Sequence, residues 1–293
     1  MRLPKFEYFE PKTLNEAYSL LSQYKRKARV IAGGTDLLPK MKNREIAPQY
    51  IIGLKSIPHL DYLEHDDAQG LRIGTLVTLD VLEASPLIQS KFGILTQAVH
   101  QMGSHQIRSL ATIGGNLCNA VPSADSAPPL IVMGAKLKLV SPAGERIIPV
   151  EEFFTGPDET VLGDGELLVE IQVPNPPPHS VGVYIKHTLR RALDLALVGV
   201  AVMVTLDSDV RSCQDIKIAL GAVAPTPIRA NKAESILKGK SFKDILVERV
   251  AQVAAEEARP ISDIRASAEY RREMVRVLTR RAVSQAWEKA RAA

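Results

Sequence analysis

The residues best suited to chemistry lie in two short stretches rich in glycine and small polar side chains. One is Ala32-Gly33-Gly34-Thr35-Asp36. The other, Ala111–Asp125, reads Ala-Thr-Ile-Gly-Gly-Asn-Leu-Cys-Asn-Ala-Val-Pro-Ser-Ala-Asp. Neither carries enough long apolar side chains to be explained by packing. Both suit a backbone that something must approach closely. A Gly-Gly pair between a strand and a helix leaves amides uncovered, and such amides bind phosphate oxygens. Gly33–Asp36 and Gly114–Asn116 both read this way, with Thr112 and Ser123 as hydroxyl donors. Asp36 and Asp125 follow the glycines and can accept from ribose or ribityl hydroxyls. Taken singly, each stretch is also a tight turn, and Asp36 is also a helix cap. Together, two such loops suit a diphosphate and hence a dinucleotide. Neither matches the three-glycine dinucleotide fingerprint or a Walker loop.

Other candidates are weaker. His105 precedes the second stretch and reads as a general base or as a solvated loop histidine. His100 falls on a helix face. The six histidines show no metal-ligand spacing, so no metal is expected. No nucleophile elbow or Cys/His pairing stands out. Cys118 reads as a small buried thiol. Lys186 is the only charge in Val181–Lys186, and it either faces a cleft or is solvated at a strand end.

These residues must be held by regular elements. Thr13 and Glu16 form a capping box for a helix whose apolar face is Leu14, Ala17, Tyr18 and Leu21. A strand at Ala28–Ala32 runs into Gly33-Gly34. Thr35 or Asp36 caps a short helix whose first turn tolerates Pro39, and a second strand follows at Tyr50–Leu54. This order implies a small α/β unit with parallel strands. Strands are expected at Tyr62–Glu64 and Leu71–Gly74, and helices at Leu79–Ala84, capped by Thr78, and at Lys91–Gln101. Beyond Ala111–Asp125 come a helical turn at Leu130–Met133, a hairpin of Lys136–Val140 with Arg146–Pro149, and a strand at Leu167–Val173. The prolines of Pro174–Ser180 exclude helix and mark a linker. After it come strands at Gly182–Lys186, Leu197–Thr205 and Ile216–Val223, then helices at Ala230–Leu237, Phe242–Ala258 and from Ser267. Three units follow: residues 1–55 and 56–175, together the first domain, and 180–293.

The 293 residues are 45% hydrophobic and 24% charged, enough for a large core without disulfides. Two cysteines suggest a reducing, cytoplasmic setting and exclude a four-thiolate zinc or iron–sulfur site. The N-terminus has no signal-peptide core, and no apolar run is long enough to span a membrane. A net charge of +4 invites nucleic acid, but 37 basic residues are mixed with 33 acidic ones, and only the last helix is visibly basic. No nucleic-acid role is expected.

Ile31–Asp36 with Thr112–Asn116 resembles the FAD-binding, or medium, subunit of the xanthine dehydrogenase family of molybdenum hydroxylases. Gln106-Ile107-Arg108, Ser123-Ala124-Asp125 and Ala219–Arg229, which contains Pro225-Thr226-Pro227-Ile228-Arg229, also resemble that family. The resemblance implies an α+β fold: a p-cresol methylhydroxylase-type FAD-binding domain of two α/β subdomains, then a C-terminal sheet-and-helix domain. It implies an extended FAD between the subdomains. Arg29, Val30, Ile31, Ala32, Gly33, Gly34, Thr35 and Asp36 would line one wall. Ala111, Thr112, Gly115, Asn116, Cys118, Ala124 and Asp125 would line the other. Met102, Leu168 and Lys186 would approach the ring, with His187–Asp194 as a loop above it. Met102 matches a site that is aromatic in some members of that family. The implied partners are a large molybdopterin subunit and a small subunit with two 2Fe–2S clusters. Electrons would pass through FAD to NAD or another acceptor. The alternative is a stand-alone flavin reductase or oxidase of the same fold, like UDP-N-acetylenolpyruvoylglucosamine reductase.

Overall fold

The computed structural model describes residues 2–190 and 192–292. The first unit is a three-stranded parallel sheet. Its strands are β1 (Glu7–Phe9), β2 (Ala28–Ile31) and β3 (Tyr50–Gly53), in the order β1-β3-β2. Helix α1 (Leu14–Tyr24) covers it through Ala17 and Tyr18, and α2 (Leu37–Lys42) carries the chain from β2 to β3. A crossover of this kind is what parallel neighbours require. The edge strand β1 was not expected from sequence. The capping box is offset by one residue: Thr13 Oγ1 accepts from the Glu16 amide, but Glu16 accepts from the amide of Lys12 rather than of Thr13.

The second unit is an antiparallel sheet. Strands β4 (Leu63–Asp66) and β5 (Gly70–Gly74) lead into six helices: α3 (Leu79–Ala84), α4 (Pro86–Lys91), α5 (Gly93–His100), α6 (His105–Arg108), α7 (Ile113–Asn119) and α8 (Ala127–Val132). Then come β6 (Lys136–Ser141), β7 (Gly144–Pro149), the small pair β8 (Phe154–Gly156) and β9 (Glu159–Thr160), and β10 (Leu167–Val173). The sheet order is β4-β5-β10-β6-β7, so its last strand in sequence lies at its centre. That position is why Leu-Leu-Val-Glu-Ile-Gln-Val is nearly all buried. The helix expected over Lys91–Gln101 is α5, starting two residues later. Helix α4 before it was not expected: Pro86 starts it, with Ser85 capping it, and the buried ring of Phe92 separates it from α5. Thr78 does not cap α3 with its side chain; its hydroxyl donates to Asp80 instead.

The third unit is an antiparallel sheet of β11 (Ser180–His187), β12 (Val198–Leu206), β13 (Cys213–Gly221) and β14 (Ile228–Arg229), in that order. It is covered by α9 (Asn231–Leu237), α10 (Asp244–Glu257) and α11 (Ala268–Ala292). Alternation along β12 divides the faces. Val198, Val200, Val202 and Val204 join the helix-covered core, each contributing roughly 1.5–3 kcal/mol relative to exposure. Ala201, with Tyr184 and Ala219, belongs to the core of the second unit. The inner face is built of small residues because helices press on it: a Cβ on Gly182 would lie 2.8 Å from Ile94, and one on Gly221 2.9 Å from Pro128. The basic residues of α11 are partly engaged, Arg276 with Glu273 and Glu248 and the buried Arg271 with Asp263. No helix of the described residues is long and apolar enough to cross a membrane.

Candidate functional site

The first wall of the site is the turn from β2 into α2. Gly34 takes φ +74°, a left-handed conformation that glycine adopts without strain. The chain therefore reverses before α2 starts, and the helix makes its first bonds as Leu38 N to Gly34 O and Lys40 N to Asp36 O. The amides of Gly33, Gly34, Thr35, Asp36 and Leu37 have no acceptor among the described residues. Five successive free N–H groups before a helix form an anion-binding concavity. Asp36 occupies the cap position but makes no side-chain cap bond, contrary to the capping expectation, so its carboxylate is available.

The second wall works differently. Ala111–Asp125 is not a loop throughout, because Ile113–Asn119 is α7 with Thr112 as its cap. Its first-turn amides are already satisfied: Ile113 donates to Val77 O at 3.0 Å, Gly114 to Thr75 O at 3.0 Å and Asn116 to Thr112 O at 2.9 Å. Gly115 donates to Thr112 Oγ1 at 3.0 Å. This wall therefore offers side chains, not the amides expected from its glycines. Asn116 accepts from Ser126 through Oδ1, which leaves its Nδ2 donor for the cleft. Ser123 and the exposed Cys118 line the same cleft. Cys118 is not the buried thiol expected; it faces the cleft, yet protein surrounds it at longer range and pushes its pKa up to about 12.

The two walls touch through Gly33. A Cβ there would fall 2.1 Å from Leu110 O, so only glycine lets the turn lie against Leu110–Ala111. Gly115 differs: an added Cβ would meet Thr112 Oγ1 at 2.8 Å and Ala32 Cβ at 3.9 Å and otherwise face open space. Lys40 also links the walls, donating to Asp158 at 2.7 Å and to Asn119 Oδ1 at 3.1 Å.

The remaining wall is apolar with one buried ion pair. Met102, Leu79 and Leu168 are buried side chains that line it. Arg108 of α6 holds its shape, donating to Met102 O at 3.0 Å and to Glu83 at 2.6 Å. Lys186, at the end of β11, is buried rather than solvated: its ammonium donates to Asp125 at 2.8 Å and to Gln101 O at 3.0 Å. Tyr184 Oη donates to the other Asp125 oxygen at 2.6 Å. Burial pushes the Asp125 pKa up, against the pull of Lys186 and Tyr184. Leu193 and Asp194 reach the cleft from the segment expected as a loop, and Leu195 from just beyond it; Arg191 within that segment lies outside the described residues.

Every residue that the family resemblance sets against the cofactor, from Arg29 to Lys186, lines this one cleft of about 640 Å³, within the range of ligand sites. His105 is exposed and does not line it. Lys40, Asn119, Asp158 and Tyr184 were missed. Lys40 carried a signal, lying one helical turn beyond Asp36; Asp158 carried none. Free amides, a cation, small residues between walls and an apolar end fit an extended dinucleotide.

Comparison with known proteins agrees with this geometry. The family described as the FAD binding domain in molybdopterin dehydrogenase matches residues 4–176, and that described as the CO dehydrogenase flavoprotein C-terminal domain matches 183–286. The chain is 35% identical to the glyceraldehyde dehydrogenase medium chain of Sulfolobus acidocaldarius, over 95% of this chain and 97% of that one. It is 32% identical to the xanthine dehydrogenase FAD-binding subunit of Escherichia coli O157:H7, over 95% of each. A solved structure of carbon monoxide dehydrogenase from Hydrogenophaga pseudoflava superposes with a TM-score of 0.95 at 34% identity, covering 98% of this chain and 99% of that one.

Proposed function

The chain belongs to the family of FAD-binding medium subunits of molybdenum hydroxylases, and on that premise we propose that it is the electron-transfer subunit of such a complex. Its partners in this reading are a large molybdopterin subunit and a small subunit carrying two 2Fe–2S clusters. It receives electrons from those clusters and passes them to NAD or another acceptor. The named relatives, a medium chain and a FAD-binding subunit, support this arrangement. A division into a FAD-binding domain, 1–175, and a C-terminal domain, 180–293, belongs to the same reading, as does a cytoplasmic setting for two free thiols.

The single observation that carries the site is the run of free amides at Gly33–Leu37. They take the diphosphate, with the Thr35 hydroxyl, the Asn116 amide and the Lys40 ammonium adding donors from around the cleft. Asp36 accepts a ribose hydroxyl. Arg29, Val30, Ile31 and Ala32 flank this end. Ala111, Thr112, Gly115, Cys118 and Ala124 are small enough to leave room between the walls. Met102 and Leu168 give an apolar surface to the ring, and Lys186 a fixed charge. When bound, FAD supplies the redox chemistry, and the protein binds, orients and tunes it.

Titrating the purified chain with FAD tests the binding. Absorbance bands near about 370 and 450 nm that persist after desalting are expected of a flavin site; their absence would sink it. Isolation of the native complex tests the partnership. Copurifying molybdenum and iron support it, whereas a chain that turns over its own substrate alone would be a stand-alone flavoenzyme.

A further inference from the structure

We propose that Tyr184 is a positioning residue for the ring end of the cleft: it holds Asp125, Asp125 holds Lys186, and the fixed set tunes the potential of bound FAD. This rests on the functional reading above. Tyr184 and Lys186 are two residues apart on β11 and so share a face. They pair in register with Ala201 and Gly199 of β12. Each donates to a different oxygen of Asp125, at 2.6 and 2.8 Å. The carboxylate therefore cannot rotate without losing a bond. The backbone of Tyr184 is held as well, donating to Gln97 Oε1 at 3.0 Å. On the facing strand, a Cβ at Gly199 would fall 2.7 Å from Tyr184 Oη, so glycine gives the hydroxyl its space.

The arrangement has an electrostatic consequence. Two of the three Lys186 donor positions are taken by Gln101 O and Asp125, and the ammonium lines the cleft. While Asp125 is ionised, it offsets that charge. Without the Tyr184 hydroxyl, nothing but Lys186 opposes the burial that favours the protonated carboxyl. A neutral Asp125 leaves Lys186 uncompensated, and a more positive wall favours the electron-rich state of the bound group. Both Tyr184→Phe and Asp125→Asn then raise the reduction midpoint, the second by more because it removes the charge outright.

The test uses the full chain reconstituted with FAD, its dissociation constant measured by fluorescence and its midpoint by dye-equilibrated titration at pH 7. In Tyr184→Phe, loss of a hydrogen bond to a charged group leaves Lys186 less compensated and tightens the hold on reduced FAD about tenfold. With the hold on the oxidised form unchanged, that is a positive shift of about 30 mV. A wild-type chain that binds no FAD overturns the functional reading itself. A wild-type chain that binds FAD, with variants whose midpoint is unchanged or lower, overturns this inference alone, even where their melting temperature falls. If Tyr184→Phe does not fold, Asp125→Asn decides: it keeps the tyrosine donor, and an unchanged midpoint there refutes the proposal.

Discussion

Replacing Gly33 by Ala and Gly115 by Val separates two uses of glycine in the same cleft. At Gly33 the new Cβ falls 2.1 Å from Leu110 O, 2.8 Å from Leu110 C and 2.9 Å from Ala111 Cα, where ordinary contact begins near 3.4 Å. All three neighbours are backbone, so the walls must part by roughly an ångström. Overpacking of this kind costs about 1–3 kcal/mol, and backbone neighbours put Gly33→Ala at the upper end. At about 2–4 °C per kcal/mol, the FAD-free chain should melt roughly 6–12 °C lower. At Gly115 the Cβ meets only the rotatable Thr112 hydroxyl at close range. Displacing that cap costs about 1 kcal/mol, partly offset by the gain of a few tenths from removing a helical glycine. Gly115→Val should therefore fold with a melting temperature only a few degrees lower, about 1 kcal/mol of destabilisation, yet carry no flavin. Differential scanning fluorimetry on stripped protein, with the ratio of absorbance at 450 to 280 nm after reconstitution, reads both quantities. Full FAD occupancy in Gly115→Val would refute the placement of Gly115 against the ligand. A Gly33→Ala chain melting within two degrees of wild type would refute the contact between walls, on the same scale of about 2–4 °C per kcal/mol.

Three further outcomes follow from the structure. Lys40→Met removes a partly exposed pair with Asp158 worth about 0–1 kcal/mol, so melting should barely move while FAD affinity, measured by fluorescence titration, falls several-fold at low salt; unchanged affinity would exclude Lys40 from the site. Arg271→Met takes away a guanidinium that donates to Leu197 O at 3.0 Å and to Asp263 at 2.8 Å, and because Asp263 keeps its pair with Arg265, chemical denaturation should show a loss of about 1–3 kcal/mol. Burial would raise the Asp263 pKa, but hydrogen bonds from Arg265, Ala266 and Arg271 outweigh it and hold the carboxyl well below its usual range. A lowered carboxyl binds fewer protons folded than unfolded, so its stabilisation is complete above the unfolded value near 4 and is lost as pH falls below it. Asp263→Asn should flatten the acid side of the stability profile; an unchanged slope in melts from pH 6 to 3 would contradict this.

Much of the fold was legible because it rests on local patterns. The valine alternation of β12, the Thr13 cap and the proline linker each report a constraint met within a few residues. The central place of β10 was not legible, since nothing in Leu167–Val173 states which strands will flank it. The helix over Lys91–Gln101 was legible from its periodicity, but α4 was not, because its separation from α5 depends on the Phe92 ring turning into a core built by distant strands.

By itself the sequence determined that two glycine-bearing stretches approach something closely, and its resemblance to a family named the ligand. The tertiary structure decided how each stretch does so. Their amides look alike in sequence, but those of Ile113 and Gly114 are consumed by carbonyls of Val77 and Thr75, while those of Gly33–Leu37 find no acceptor among the described residues. Likewise Lys186 meets Asp125 across 61 positions of chain. Whether a polar group is free, and which charge it faces, depends on partners brought near only by folding, and no local pattern encodes that.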